Sequence, residues 1–179
     1  MRLLQSRAQR ALAGKIEASR GRLYRMAFAW CHDAVLADDL AQEALAHGLA
    51  RIEQLREEER LMSWLFAILN RCWIDYLRVK RDDLDDEMLA ELPSPLPGPD
   101  SHAELQETVS RVRAAVAALP VGQCQVVTLV DLEGCTYAEV AQALAIPIGT
   151  VMSRLCRARA ALRALLEPAT AQARLRSVK

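Results

Sequence analysis

Aromatic residues make up only 4 % of this 179-residue chain. Strands draw on aromatic and β-branched side chains, so their scarcity beside abundant Ala and Leu turns the sequence toward helices. No apolar run approaches the roughly 20 residues a membrane crossing needs, so no membrane insertion is expected. Five cysteines are scattered without a Cys-x-x-Cys pair, a spacing that fits neither a disulfide framework nor a zinc site and suits free thiols in a reducing compartment. Histidine is limited to His32, His47 and His102. Glu43 and His47 stand one helical turn apart, but di-metal bundles need Glu-x-x-His on two helices plus further glutamates, so no metal or other cofactor is expected. Nucleophile–base pairs and phosphate-cradling glycine runs are also missing, which leaves no catalytic residue to name and argues against an enzyme. The first 25 residues hold seven bases and one acid, as a transit peptide would, yet no small-residue cleavage site or apolar core follows. A cytoplasmic protein is expected.

The charge balance is zero overall but strongly uneven along the chain. Residues 82–110 carry nine acids and no base, while both flanking segments are net basic. Two basic ends around an acidic middle suit two nucleic-acid-binding units better than one neutral enzyme. Within the acidic stretch, Pro93, Pro95, Pro97 and Pro99 alternate. Prolines remove backbone donors and push the preceding residue toward extended conformations, so no helix crosses here. The sequence therefore divides into residues 1–81, an acidic Pro-rich linker at 82–102, and residues 103–179. Some 20 extended residues reach roughly 65 Å at about 3.3 Å each, enough for the two ends to bind separate elements of one duplex.

Helical periodicity fills both ends. Before the linker it predicts helices over about Ala8–Cys31, Ala34–Ile52 and Leu61–Arg81. After it, helices are predicted over about Ala103–Ala118, Val121–Leu132, Tyr137–Ala145 and Ile148–Leu166. The fold class is all-α, with two small helical domains. Thr136 followed by Glu139 fits a capping box opening a short helix. A break over Ala145–Ile148 then leads into a longer amphipathic helix, the helix-turn-helix pattern whose second helix enters the DNA major groove. In that helix Val151, Leu155, Ala158, Leu162 and Leu165 share one face. Thr150, Ser153, Arg154 and Arg157 cluster on the opposite face, the donor-rich array that base-edge reading requires. Arg159 and Arg163 lie to the side, where phosphates would run.

The stretch TYAEVAQALAIPIGTVMSRLCRARAALRALL resembles region 4 of extracytoplasmic-function sigma factors, in the sigma-70 family. That resemblance implies reading of a promoter −35 element by Thr150, Ser153, Arg154, Arg157 and Arg159. The family usually has a polar cap at Pro147, often an acid at Ile148, usually lysine at Met152 and often histidine at Cys156. The missing lysine puts one phosphate contact in doubt.

In the first half, LADDLAQEALAHGLARI resembles sigma region 2.2. On spacing alone Asp39, Gln42 and Glu43 form a solvated polar face; the resemblance implies that they meet the β′ clamp helices of RNA polymerase core. MSWLFAILNRCWIDYLRVKR resembles regions 2.3 and 2.4, which implies −10 element binding through Trp64, Asn70, Arg71, Trp73, Asp75 and Arg78. Bases flipped from an opened strand stack on aromatic rings at about 1–3 kcal/mol each; core packing is the other reading of Trp64 and Trp73, and for Trp73 it stands at least level with stacking. The implied function is promoter-specific transcription initiation, with RNA polymerase core (β′ clamp helices and β flap), promoter DNA and an anti-sigma factor as partners. A helix-turn-helix regulator acting without core polymerase is the alternative. It explains the second half and leaves the first idle.

Overall fold

A computed structural model describes residues 7–82 and 103–166. The linker expected at 82–102 therefore lies, beyond Asp82, outside the described residues. The described residues are helical, with no strand among them: α1 (Arg7–Ala18), α2 (Arg20–Cys31), α3 (Ala34–Ala50), α4 (Leu61–Asp82), α5 (Ala103–Ala117), α6 (Val121–Val127), α7 (Tyr137–Leu144) and α8 (Ile148–Leu166). Short 3-10 turns at Ile52–Gln54 and Glu58–Arg60 join α3 to α4, and α6 runs on into a π-helical turn over Thr128–Leu132.

The single helix expected over Ala8–Cys31 is two. Ser19, buried at the junction, donates its hydroxyl to the Lys15 carbonyl at 2.8 Å, a back-bond that bends helices. Its own N–H shifts to the Ile16 carbonyl at 3.0 Å. At the end of α2, His32 adopts φ +55° and closes the helix by donating to the Phe28 carbonyl at 2.9 Å. Asp33 then caps α3, its carboxylate accepting from the Val35 and Leu36 N–H groups at 2.9 and 3.1 Å, satisfying donors that a helix start leaves orphaned.

Helices α1–α4 bury Ile16, Leu23, Met26, Leu65, Phe66 and Leu69, and helices α6–α8 with the π-helical turn bury Val126, Leu129, Val140 and Val151. Gly48 lets α3 and α4 approach closely, because a Cβ there would stand 2.9 Å from Leu65 Cδ2. The two apolar groups join in one continuous core, with α2 packed on α5 and α6, and α4 on α7.

Candidate polymerase-docking and nucleic-acid faces

The α3 face is built by period alone. Ala37, Leu40, Ala41 and Ala44 turn inward, which leaves Asp39, Gln42 and Glu43 together and exposed on the other side. Gln42 donates to Asp38 at 2.6 Å, and Asp38 also accepts from Arg20. These bonds fix the amide, while Asp39 is exposed to solvent beside it. Glu43 Oε1 lies 3.5 Å from His47 Nε2.

The helix-turn-helix forms as its sequence indicates. Thr136 accepts from the Glu139 N–H at 3.3 Å and donates its own N–H to Glu139 Oε2 at 2.8 Å. The Thr136 hydroxyl also donates to Glu139 Oε2 at 2.7 Å, and that bond first, with the Thr136 N–H second, holds the Glu139 carboxyl below its ordinary range. Ala145 at φ +53° ends α7, with the Ile146 N–H returning to the Ala141 carbonyl at 3.0 Å. Helix α8 then starts without a side-chain cap at Pro147, whose carbonyl accepts from the Thr150 N–H at 2.9 Å.

On α8, Val151, Leu155 and Ala158 are buried, Leu162 is half-buried, and Leu165 is exposed near the helix end instead of packed. The opposite face carries Ser153 and Arg157 exposed, with Thr150 and Arg154 half-buried. Arg157 Nε donates to the Ser153 carbonyl at 3.2 Å, so its guanidinium rests along its own helix. Arg154 folds back over α6, where a Cβ on Gly122 would stand 2.8 Å from its Nη1. Arg159 is held by both carboxylate oxygens of Asp131, Nε donating to Oδ2 at 3.0 Å. This fork raises the guanidinium pKa and means that a phosphate would have to compete with Asp131.

Helix α4 divides its candidate residues. Arg71, Asp75 and Arg78 are exposed, with Arg78 Nη1 at 3.3 Å from Asp75 Oδ1 and Arg71 Nε at 4.0 Å from Asp75 Oδ2. Trp64 is half-buried in a groove that Glu139 and Gln142 of α7 also line. Asn70 and Trp73 lie away from the open surface, with only 5 % and 3 % of each exposed, so core packing is the reading that holds for Trp73. Asn70 donates to the Ala143 carbonyl of α7 at 3.3 Å and accepts from Gln125 Nε2 of α6 at 2.8 Å. Trp73 stacks on Tyr76 at 5.7 Å between ring centres, and its buried indole N–H has no acceptor among the described residues. The second helical group covers this part of α4.

Two family descriptions match: Sigma-70 region 2 over residues 16–82 and Sigma-70 region 4 over residues 110–162. The ECF RNA polymerase sigma factor EcfG of Rhodopseudomonas palustris is 36 % identical over 132 residues, covering 73 % of this chain and 71 % of that protein. The ECF RNA polymerase sigma factor SigC of Mycobacterium tuberculosis is 33 % identical over 159 residues, covering 89 % and 85 %. The chain belongs to the ECF sigma factors of the sigma-70 family. Its fold also resembles the sigma factor RpoE of Bartonella quintana, solved with the anti-sigma factor NepR, at TM-score 0.74 and 24 % identity over 86 % of this chain and 94 % of that one. A second likeness, to CnrH solved with the cytosolic domain of CnrY, has TM-score 0.61 and 23 % identity over 88 % of each chain.

Several residues that shape this sigma factor's surfaces escaped the sequence reading. Asp131 engages Arg159, Gly122 makes room for Arg154, and Gln125 and Thr128 reach across to the first helical group. Trp30 Nε1 donates to Thr128 Oγ1 at 3.1 Å, and Arg22 Nε donates to the largely buried Glu133 carboxylate at 2.8 Å. None of these pairs has a signal in one sequence, because the partners are 98 and 111 residues apart. Among the described residues, no helix is long and apolar enough to cross a membrane.

Proposed function

We propose that this sigma factor works by divided labour between its helical groups. Helix α3 docks on the β′ clamp helices of core polymerase through Asp39, Gln42 and Glu43. Helix α4 captures the opened −10 strand, and α8 reads the −35 major groove through Thr150, Ser153, Arg154 and Arg157. The second group also meets the β flap. The polymerase supplies all catalysis, the sigma factor has no enzymatic activity of its own, and it works in the cytoplasm. The observation that carries this reading is the joint exposure of the α3 polar face and of Ser153 and Arg157 on α8. Acids facing a basic partner steer encounter and fix register more than they add raw affinity. The units 1–81 and 103–179 then act as two domains on the 82–102 linker, and they must part before Asn70 or Trp73 can touch DNA. An anti-sigma factor that grips the closed pair would keep it inactive. The like-folded sigma factors solved with NepR and CnrY support such a partner.

The test pairs core polymerase with the full chain on a promoter template. Promoter-dependent transcripts are expected. Asp39→Lys with Glu43→Lys should lose core binding while circular dichroism keeps its helical signal. A chain that binds one duplex sequence tightly without core, and yields no transcript with it, is a helix-turn-helix regulator instead.

A further inference from the structure

Helices α3 and α4 bring together three donors that no sequence spacing connects. Glu43 and His47 are one turn apart on α3, with Oε1 and Nε2 at 3.5 Å. Cys72 of α4 comes up beneath them, and one donor atom from each of the three lies within 4.8 Å of the others. We propose that Glu43, His47 and Cys72 form a binding site for a single divalent ion of the zinc and cobalt class.

The donor set is the first reason. A thiolate, an imidazole and a carboxylate are the protein ligands zinc takes, and three of them plus water make an open tetrahedral site. Soft sulfur with imidazole disfavours magnesium and calcium, which take oxygen ligands. Geometry is the second reason. Metal–ligand lengths of about 2.0–2.3 Å put neighbouring ligands of a tetrahedron roughly 3.5 Å apart. Closing from 4.8 Å therefore asks for about 1 Å of movement, available by rotating the exposed Glu43 and half-buried His47 side chains. Gly48, next to His47, lets α3 lie close on α4 at Leu65.

Burial is graded in the same sense. Cys72 is 4 % exposed, His47 half-buried and Glu43 exposed, so an ion enters from solvent and keeps its fourth position there for water. Without an ion, burial first and the Glu43 charge second push the Cys72 thiol up to about 11, and it stays protonated at neutral pH. A coordinating thiol is deprotonated outright, so binding releases that proton to solvent and leaves the thiolate on the metal. No oxidation state changes. The ion would tie the helix offered for docking to the helix offered for the −10 strand. The site itself does not depend on either role.

Cobalt(II) titration of the untagged full chain under reducing conditions provides the test. One equivalent should bind, with the near-ultraviolet band of sulfur-to-cobalt charge transfer, and zinc should displace it. Cys72→Ser should abolish the band, while Cys156→Ser, at an exposed thiol, should leave it intact. His47→Gln and Glu43→Gln each lie at the surface and should weaken cobalt binding by at least about tenfold, the lower range for losing even an outer partner of a metal ligand. Circular dichroism checks that each variant is folded. The proposal is overturned if the wild-type chain gives no sulfur band with excess cobalt, or if the band survives in Cys72→Ser. It is equally overturned if His47→Gln and Glu43→Gln both bind cobalt as tightly as wild type, since a lone cysteine would then be the whole ligand.

Discussion

Helix α8 and helix α4 carry the two surfaces proposed to meet DNA, and they stand in opposite conditions. On α8, Ser153 and Arg157 are open to solvent, and the buried side is apolar. On α4, Asn70 and Trp73 lie inside, beneath the group that bears α8. The seam that covers them also differs from the cores on either side. It is crossed by polar bonds: Asn70 to Gln125 and Ala143, Trp30 to Thr128, Arg22 to Glu133, and the Cys124 thiol to the Ala29 carbonyl at 3.0 Å. Such bonds specify one docking geometry, yet water replaces each of them at little net cost when the seam opens. Interfaces between domains are typically this kind of moderately polar contact and allow relative motion. The unpartnered Trp73 N–H adds a desolvation cost to the closed state that opening would relieve. Core and seam therefore have different jobs: one keeps each group folded, the other sets whether the buried face of α4, proposed for the −10 strand, is available.

The largest effect should come from the core. Phe66 is fully buried, and Phe66→Ala should cost about 3–5 kcal/mol through lost burial and a residual cavity. Chemical denaturation should show the first helical group unfolding, beyond any opening of the seam. A loss under about 1 kcal/mol would mean that the packing around α4 is far looser than in protein interiors.

Next in size is a pH effect centred on the seam. Burial pushes the Cys124 thiol from 9.0 up to about 12. The unfolded or opened chain loses this proton first, so the closed form is fully favoured below pH 9.0 and loses ground as pH rises toward about 12. Cys72 and Cys135, both pushed up to about 11 chiefly by burial, add to the same decline. Stability measured across that window should fall, and Cys124→Ala should flatten the slope. An unchanged slope would remove Cys124 from the account.

How much of this was legible in the sequence depends on the range of the interaction. Helices, the Thr136–Glu139 capping box and the apolar stripe of α8 follow from residues three or four apart, which one sequence displays. The break at Ser19 does not, since serine is tolerated in helices and its bond to the Lys15 carbonyl leaves no pattern. The family strings pointed to the −10 and −35 helices, but a string cannot say that Asn70 would be buried by Ala143, 73 residues on. Glu43 and His47 were visible as a pair on spacing. Cys72, their third companion, comes from another helix and was not.

The comparison between the two surfaces sharpens most directly at Asn70. Asn70→Ala removes the acceptor of the buried Gln125 amide and the donor to Ala143, which should disfavour the closed state by about 1–3 kcal/mol. Small-angle scattering should show a larger radius with helix content unchanged, and protease should cut faster between the groups. Unchanged compactness would show that apolar contacts alone hold the seam. On the open surface, Arg157→Ala should cost on the order of 1–3 kcal/mol on the preferred −35 sequence and relax discrimination at one or two base pairs. Arg163→Ala should weaken all sequences equally and lower the salt slope, as a lost phosphate contact does. Uniform loss from both variants would reduce α8 to a basic patch.

The smallest expected effect concerns the seat of Arg154. A Cβ on Gly122 would meet Arg154 Nη1 at 2.8 Å and Cζ at 3.0 Å, but those atoms end a long flexible side chain, so it can swing away. Gly122→Ala should therefore fold normally and change stability by less than about 0.5 kcal/mol. What it alters is the resting place of one guanidinium on the otherwise open α8 face. If Arg154 leaves its seat over α6 to reach a base edge, unseating it in advance removes a small cost of binding, and −35 affinity should hold or rise by up to about twofold with discrimination intact. If instead Arg154 must remain seated to shape the face, the same substitution should lower affinity and blur the base preference of α8. Binding of the Gly122→Ala chain, with core polymerase, to a panel of single-base −35 variants separates the two. A drop of tenfold or more would mean that α8 is no readier for DNA than α4, and that both surfaces must rearrange before a promoter is read.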